Sequence, residues 1–248
     1  MSGHSKWSTI KRKKGAEDAK RGKIFSRISK EIAIAVKEGG PDEGANPRLR
    51  LAIQNAKGVN MPKDNILRAI SKADKDKTSL QEYTFEGYGP GGVGIFVECL
   101  SDNKNRTVSD IRAIFTKRGG NLGTNGSLNF MFDRKGVFTV PMGEFDRDEF
   151  ELEIIDAGAE DIEFEDNVFI ITTALEDFGS VQKKLDAMGI QPENAELQRV
   201  PNDTKELDVE GSKKVLGMIE EFEDNEDVQN VYHNLEMTDE LMAVMRND

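Results

Sequence analysis

The 248-residue chain has a single cysteine, Cys99, which rules out an internal disulfide. Cys99 lies in the apolar run Val93 to Leu100, the setting of a small core hydrophobe in a reducing cytosol. There are two histidines, His4 and His233. That is too few for a His-rich metal centre, and it leaves a Ser/His/Asp triad little to draw on. No metal and no cofactor is expected. No apolar run approaches the roughly 20 residues a bilayer-crossing helix needs. The N-terminus sets Lys6 and Lys11 to Lys14 where a leader would have an apolar stretch. Secretion and a membrane partner are therefore not expected, and the location expected is the cytoplasm.

Catalytic patterns are missing too. The glycine-rich stretch Gly87 to Gly94 lacks the Gly-Lys-Ser/Thr ending of a phosphate-binding loop and leads into no helix, so it reads as a hairpin turn. Carboxylates abound after residue 143, but they spread along helix faces and turns as a solvated surface does, and no acid/base pair stands out. The expectation is a chain that is not an enzyme, with no catalytic residue and no small-molecule substrate.

What the chain does have is charge, and its sign is segregated. The formal net charge is −12, yet residues 1–77 hold 19 Lys+Arg against 9 Asp+Glu, while residues 78–248 hold 15 against 37. Because a field decays over about 8 Å at physiological salt, a local basic surface can bind phosphates on an acidic protein. Residues 1–30 are the densest part, with 10 basic and 2 acidic side chains. Lys6, Lys11, Arg12, Lys13, Lys14, Lys20, Arg21, Lys23, Arg27 and Lys30 are the candidate phosphate contacts, since each neutralised phosphate releases counterions. Trp7, the only tryptophan, stands among lysines where it suits stacking on an unpaired base. A solvated charged tail, with Trp7 tucked against a neighbouring domain, is the alternative reading of the same residues. Arg48, Arg50, Lys57, Lys63, Arg68 and Lys72 rank second.

With 37% hydrophobic residues the chain is apolar enough to fold, and its length suits two or three domains. Met1 to Ala16 has no apolar periodicity and reads as a basic arm. Ile24, Phe25, Ile28, Ile32 and Ala35 recur at helical spacing from Asp18 to Gly39-Gly40-Pro41. Asn46-Pro47 caps and opens a second helix that Gly58 ends, and Pro62 opens a third that the charged stretch Lys72 to Lys77 closes. Beyond Thr78 the period becomes extended: strands Tyr83 to Tyr88 and Val93 to Leu100, helix Thr107 to Arg118, strand Ser127 to Phe132. Within residues 134–200 the order is βαββαβ, the ferredoxin-like arrangement. Helix Ser212 to Phe222 and strand Asp227 to Tyr232 then complete the earlier unit. The expected fold class is α+β with three domains. These are a basic helical domain at 1–77, a discontinuous α/β domain at 78–133 and 201–248, and an inserted ferredoxin-like domain at 134–200.

Several separated motifs share one resemblance. They are Met1-Ser2-Gly3-His4-Ser5-Lys6-Trp7, Lys23-Ile24-Phe25-Ser26-Arg27, Asn46-Pro47-Arg48-Leu49-Arg50, and the runs Asn60 to Ile66, Tyr83 to Gly92 and Asp102 to Thr107. In this order they closely resemble the YebC/PmpR family of bacterial regulatory proteins. The resemblance implies a cytoplasmic three-domain α/β protein of the kind described as a DNA-binding regulator of transcription. It equally brings in mitochondrial relatives that activate translation and bacterial members linked to ribosomes and the relief of stalling. The partner expected is thus nucleic acid, either DNA or ribosomal RNA. No helix pair reads as a helix-turn-helix with a polar reading face, and a basic arm with one aromatic suits structured RNA as well as duplex DNA. A protein-interaction scaffold whose acidic domains dock a basic partner is the rival from another class. Oligomeric state has no signature in the pattern.

Overall fold

The computed structural model describes residues 18–75 and 79–247. The chain divides into two compact units. One gathers the described residues up to Lys23, Ser79–Asp133 and the chain from Val200 onward, the other Ile24–Thr78 with Arg134–Arg199.

Three helices come first, α1 (Asp18–Gly39), α2 (Pro47–Gly58) and α3 (Lys63–Lys75), and from Ile24 on they belong to the second unit. Their apolar faces close on Ile32, Ala35, Leu49, Ile53, Ala56, Met61 and Ile66. Asn46 fastens the first two together. Its Oδ1 accepts the Leu49 N–H at 3.0 Å and caps α2, while its Nδ2 donates to the carbonyls of Ala35 at 2.7 Å and Gly40 at 2.9 Å, where α1 ends. A buried amide is tolerated here because its polar atoms find backbone partners. The third helix runs on to Lys75, further than its charged end suggested.

The same unit holds β4 (Phe132–Pro141), α5 (Arg147–Asp156), β5 (Ala159–Glu165), β6 (Val168–Ala174), α6 (Phe178–Ala187) and β7 (Asn194–Pro201). The strands form one sheet in the order β5-β6-β4-β7, the ferredoxin-like arrangement expected from βαββαβ. Along β6 every second residue is buried, as period-two patterning requires of a sheet covered on one face. Phe138, Val140, Phe169 and Ile171 meet Phe150 and Ile154 of α5 and Val181 and Leu185 of α6.

In the first unit β1 (Gln81–Tyr88) and β2 (Gly94–Ser101) pair antiparallel, joined by a 3-10 turn at Pro90–Gly92. Gly91 takes φ 69 in that turn, and a Cβ there would lie 2.6 Å from the Leu207 side chain. Both conformation and space call for glycine. Next come α4 (Lys104–Lys117), β3 (Asn121–Leu122), α7 (Val209–Asp224), β8 (Val228–His233) and α8 (Asp239–Asn247). The sheet order is β3-β1-β2-β8. Like the other unit's sheet it has four strands with two helices, here α4 and α7, packed against it, but by a different chain path, because the first two strands are joined directly and α7–β8 arrives late in the chain. Ile95, Val97 and Cys99 face the helices with Ile111, Phe115, Ile219 and Phe222.

One expected element is corrected. Residues 123–131 form turns, not a strand, and the strand at that place in the sheet is the two-residue β3. The turns cover the sheet face opposite the helices, where Leu128 and Phe132 pack on Phe96 and Tyr232. The apolar residues that suggested a strand are buried by a loop. Helix α8 was not anticipated.

Candidate nucleic-acid interface

Lys6, Trp7, Lys11, Arg12, Lys13 and Lys14 lie outside the described residues. Of the remaining candidates, positions 20, 23, 27 and 30 recur every three or four residues along α1. That spacing puts Lys23, Arg27 and Lys30 on a side of the helix away from Ile28, Ile32 and Ala35, whereas Arg21 falls in line with those apolar residues near the start of the helix. Lys23 Nζ pairs with Asp224 Oδ1 at 2.6 Å. Arg27 and Lys30 are half-buried and engaged. Arg21 is exposed.

The second-ranked cations separate into two kinds. Arg48 bonds Glu38 at 2.7 Å and Glu31 at 3.4 Å, and Arg50 donates to the carbonyls of Gly44 at 2.8 Å and Glu43 at 3.2 Å. Those two guanidinium groups brace the connection between α1 and α2. By contrast Lys63, Arg68, Lys72 and Lys75 stand exposed on α3, Lys57 stands exposed at the end of α2, and none of the five makes an ion pair or hydrogen bond with a described residue. Arg68, Lys72 and Lys75 follow each other at helical spacing with the exposed Leu67 nearby, on the side away from the buried Ile66 and Ala73. Four residues, 59–62, join α2 to α3. Lys75 was not among the sequence candidates; its place one turn beyond Lys72 was the available signal.

Other motifs that could have met an anion are used by the fold. Asn103 caps α4 by accepting the Arg106 N–H at 3.1 Å, and the Arg106 guanidinium is held by Asp227 and Asp102, each at 3.0 Å. Asp227 also accepts from Ser101 Oγ at 3.0 Å and Thr107 Oγ1 at 2.9 Å. Burial alone would raise the Asp227 carboxyl's pKa, but hydrogen bonds from Arg106, Thr107 and Ser101 outweigh it and hold it below the usual aspartate value. Asp227 in turn holds the Arg106 guanidinium above its ordinary value.

Among the described residues no three His, Cys, Asp or Glu side chains come together as a metal site, and no helix is long and apolar enough to cross a membrane. His233 and Cys99 are both buried within strands.

Residues 5–76 match the family model for the TACO1/YebC protein N-terminal domain, and residues 80–235 match that for the TACO1/YebC second and third domain. A "Probable transcriptional regulatory protein" of Amoebophilus asiaticus is 51% identical over 239 residues, covering 95% of this chain and 98% of its own length. A protein of the same description from Rubrobacter xylanophilus is 48% identical over 246 residues, covering 98% of each chain. Among solved structures, the crystal structure of a conserved hypothetical protein from Aquifex aeolicus matches with a TM-score of 0.82 at 41% identity, covering 91% of this chain and 94% of that one.

Proposed function

Because the chain belongs to the TACO1/YebC family, we propose that it is a non-enzymatic regulator of transcription in the cytoplasm that binds DNA through its basic N-terminal part. The observation that carries this reading is the row of exposed cations on α3 that make no ion pair or hydrogen bond with a described residue, in a protein whose buttressing cations Arg48, Arg50 and Arg106 are all held. Long cationic side chains left without carboxylates are suited to phosphates, where each contact displaces a counterion. No helix pair reads as a helix-turn-helix from the sequence, but the four-residue connection between α2 and α3 has the length used in such pairs, and the outward side of α3 carries Arg68, Lys72 and Lys75 beside Asp64. The basic residues of the arm, Lys6 and Lys11 to Lys14, then add phosphate contacts, and the names carried by the relatives support a regulatory role.

A second reading, a factor that binds ribosomal RNA or the ribosome and acts in translation, is favoured by Trp7. One tryptophan among lysines suits unpaired bases, where stacking is worth about 1–3 kcal/mol per base, better than a closed duplex. The experiment is a salt-titrated binding comparison of duplex DNA, structured ribosomal RNA and ribosomes, with the wild type and a Lys11→Glu/Arg12→Glu/Lys13→Glu/Lys14→Glu variant. Preferred binding of duplex DNA with a sequence preference supports the transcription reading. Preferred binding of ribosomes or ribosomal RNA that the variant loses moves the protein to translation. Failure to bind any of the three overturns both.

A further inference from the structure

Residues 134–199 hold 6 basic and 17 acidic side chains. Most of that charge is an ordinary solvated surface, but on α5 it surrounds something a solvated surface does not need. Phe150 and Ile154 point into the core of the second unit, as an amphipathic helix requires. Leu152 and Ile155, one turn apart on the opposite side, are 65% and 54% exposed. A short helix carrying branched apolar residues on both sides has the composition of one that is covered on both sides. Leu175, a third large exposed hydrophobe, precedes Asp177, and Asp177 packs against Gly158 just beyond the end of α5: a Cβ on Gly158 would lie 2.9 Å from that of Asp177. The turn that carries Leu175 and Asp177 therefore lies beside the C-terminal end of α5.

The carboxylates around Leu152 and Ile155 indicate what covers them. Asp148, Glu149 and Asp156 are exposed and make no ion pair or side-chain hydrogen bond with a described residue, whereas Glu151, one turn before Ile155 at the edge of the face, is paired with Arg147, and Glu153, on another side of the helix, with Lys184. Asp156 occupies the last turn of α5, which holds no basic residue. A carboxylate there faces the negative end of the helix dipole, an arrangement that is locally unfavourable and that an incoming cation relieves. Nucleic acid is repelled by such a face, and a neutral apolar partner would leave its carboxylates uncompensated.

We propose that the Leu152–Ile155 face of α5 is a docking surface for a cationic amphipathic segment of a partner protein, one that presents apolar side chains to Leu152 and Ile155 and Lys or Arg to Asp148, Glu149 and Asp156. The pairing is of the helix-on-groove kind, in which apolar anchors set the register and the charged rim steers the approach. It is independent of the nucleic-acid reading, since it uses neither the arm nor α3.

The test uses the full chain and two synthetic probes of about 14 residues made of leucine and lysine. One spaces its leucines as a helical stripe, and the other is a scrambled version of equal charge. Binding is read by fluorescence anisotropy of the labelled peptides. The striped probe is expected to bind at least tenfold more tightly than the scrambled one. A Leu152→Ser/Ile155→Ser variant is expected to lose that advantage while binding the scrambled probe as before; tenfold corresponds to about 1.4 kcal/mol. Both positions are exposed, so thermal unfolding should be unchanged, and an Asp148→Asn/Asp156→Asn variant provides a second readout by weakening both probes. Equal binding of the two probes, or a Leu152→Ser/Ile155→Ser variant that behaves as the wild type, overturns the proposal. So does self-association of the wild type in sedimentation that the same substitutions abolish, because the face then belongs to a second copy of the chain.

Discussion

The side chain of Asn55 on α2 stands in for a missing strand beside Ala195. Its Nδ2 donates to the Ala195 carbonyl at 2.9 Å, and its Oδ1 accepts the Ala195 N–H at 3.0 Å. Strand β7 is at the edge of its sheet, and an edge left open is a template for unwanted pairing. Gly58, one turn further along α2, permits the approach: a Cβ there would lie 1.9 Å from the Glu193 carbonyl oxygen. Replacing Asn55 with Ala leaves two edge groups of β7 without partners and is expected to cost about 1–3 kcal/mol in urea unfolding. Asn55→Asp keeps the acceptor but aims a carboxylate at a carbonyl. It should be at least as costly at pH 7 and recover as the carboxyl is protonated at low pH.

The sequence made the α2 cap legible because capping is local: Asn46, Pro47 and the Leu49 N–H lie within four positions. The role of Asn55 was not legible, since its partner is 140 residues away. The same distinction explains the misread segment. Leu128 and Phe132 have the apolar character of a strand, yet what fixes residues 123–131 as turns is the distant carboxylate of Glu86. The site follows the same rule. The basic arm is visible as composition alone, whereas the difference between Arg48 and Arg68 is set by Glu31 and Glu38, which tertiary packing brings to one and not the other.

Glu86 is 3% exposed and accepts the N–H of Gly126 at 2.7 Å on one oxygen and that of Leu128 at 2.6 Å on the other. Both oxygens face donors, so Glu86→Gln must set an NH2 group against one of them. The expected cost is about 1–3 kcal/mol. Hydrogen exchange should localise it, with the amides of Gly126 and Leu128 losing protection before those of β1 and β2. Uniform loss of protection across the sheet would instead mean that the loop is not a separately anchored element.

Asp227 supplies a pH signature. Its carboxyl is held below the usual aspartate value, so the folded state binds its proton less tightly than the unfolded chain does. The stability contributed by the ionised group is therefore fully present above the unfolded carboxyl's pKa, about 3.9. It is lost as pH falls below that, through the lower folded value. Asp227→Asn should destabilise the protein by about 1–3 kcal/mol at pH 7. The gap to the wild type should stay constant down to roughly pH 5 and then close as the pH falls through the acid range. Urea midpoints of the two proteins across this range check the sign, and a gap that widens on acidification would contradict it.

If α3 holds phosphates, its cations and those of the α1–α2 connection must respond differently to the same chemical change. Arg68→Glu, Lys72→Glu and Lys75→Glu remove charges that make no ion pair within the described fold, so the combined variant should unfold at the same temperature as the wild type. Its affinity for duplex DNA should fall, and the dependence of log K on log salt should become shallower by about 0.9 for each phosphate that is no longer neutralised. Arg48→Glu should do the reverse. It places a carboxylate against Glu31 and Glu38, which Arg48 now joins, so it lowers the unfolding temperature while the salt slope of the folded fraction stays that of the wild type. Measuring both variants by thermal melt and salt titration separates a binding face from a basic surface that only solubilises the helix. An unchanged slope in the α3 variant would assign its cations to solubility and leave the arm to bind alone.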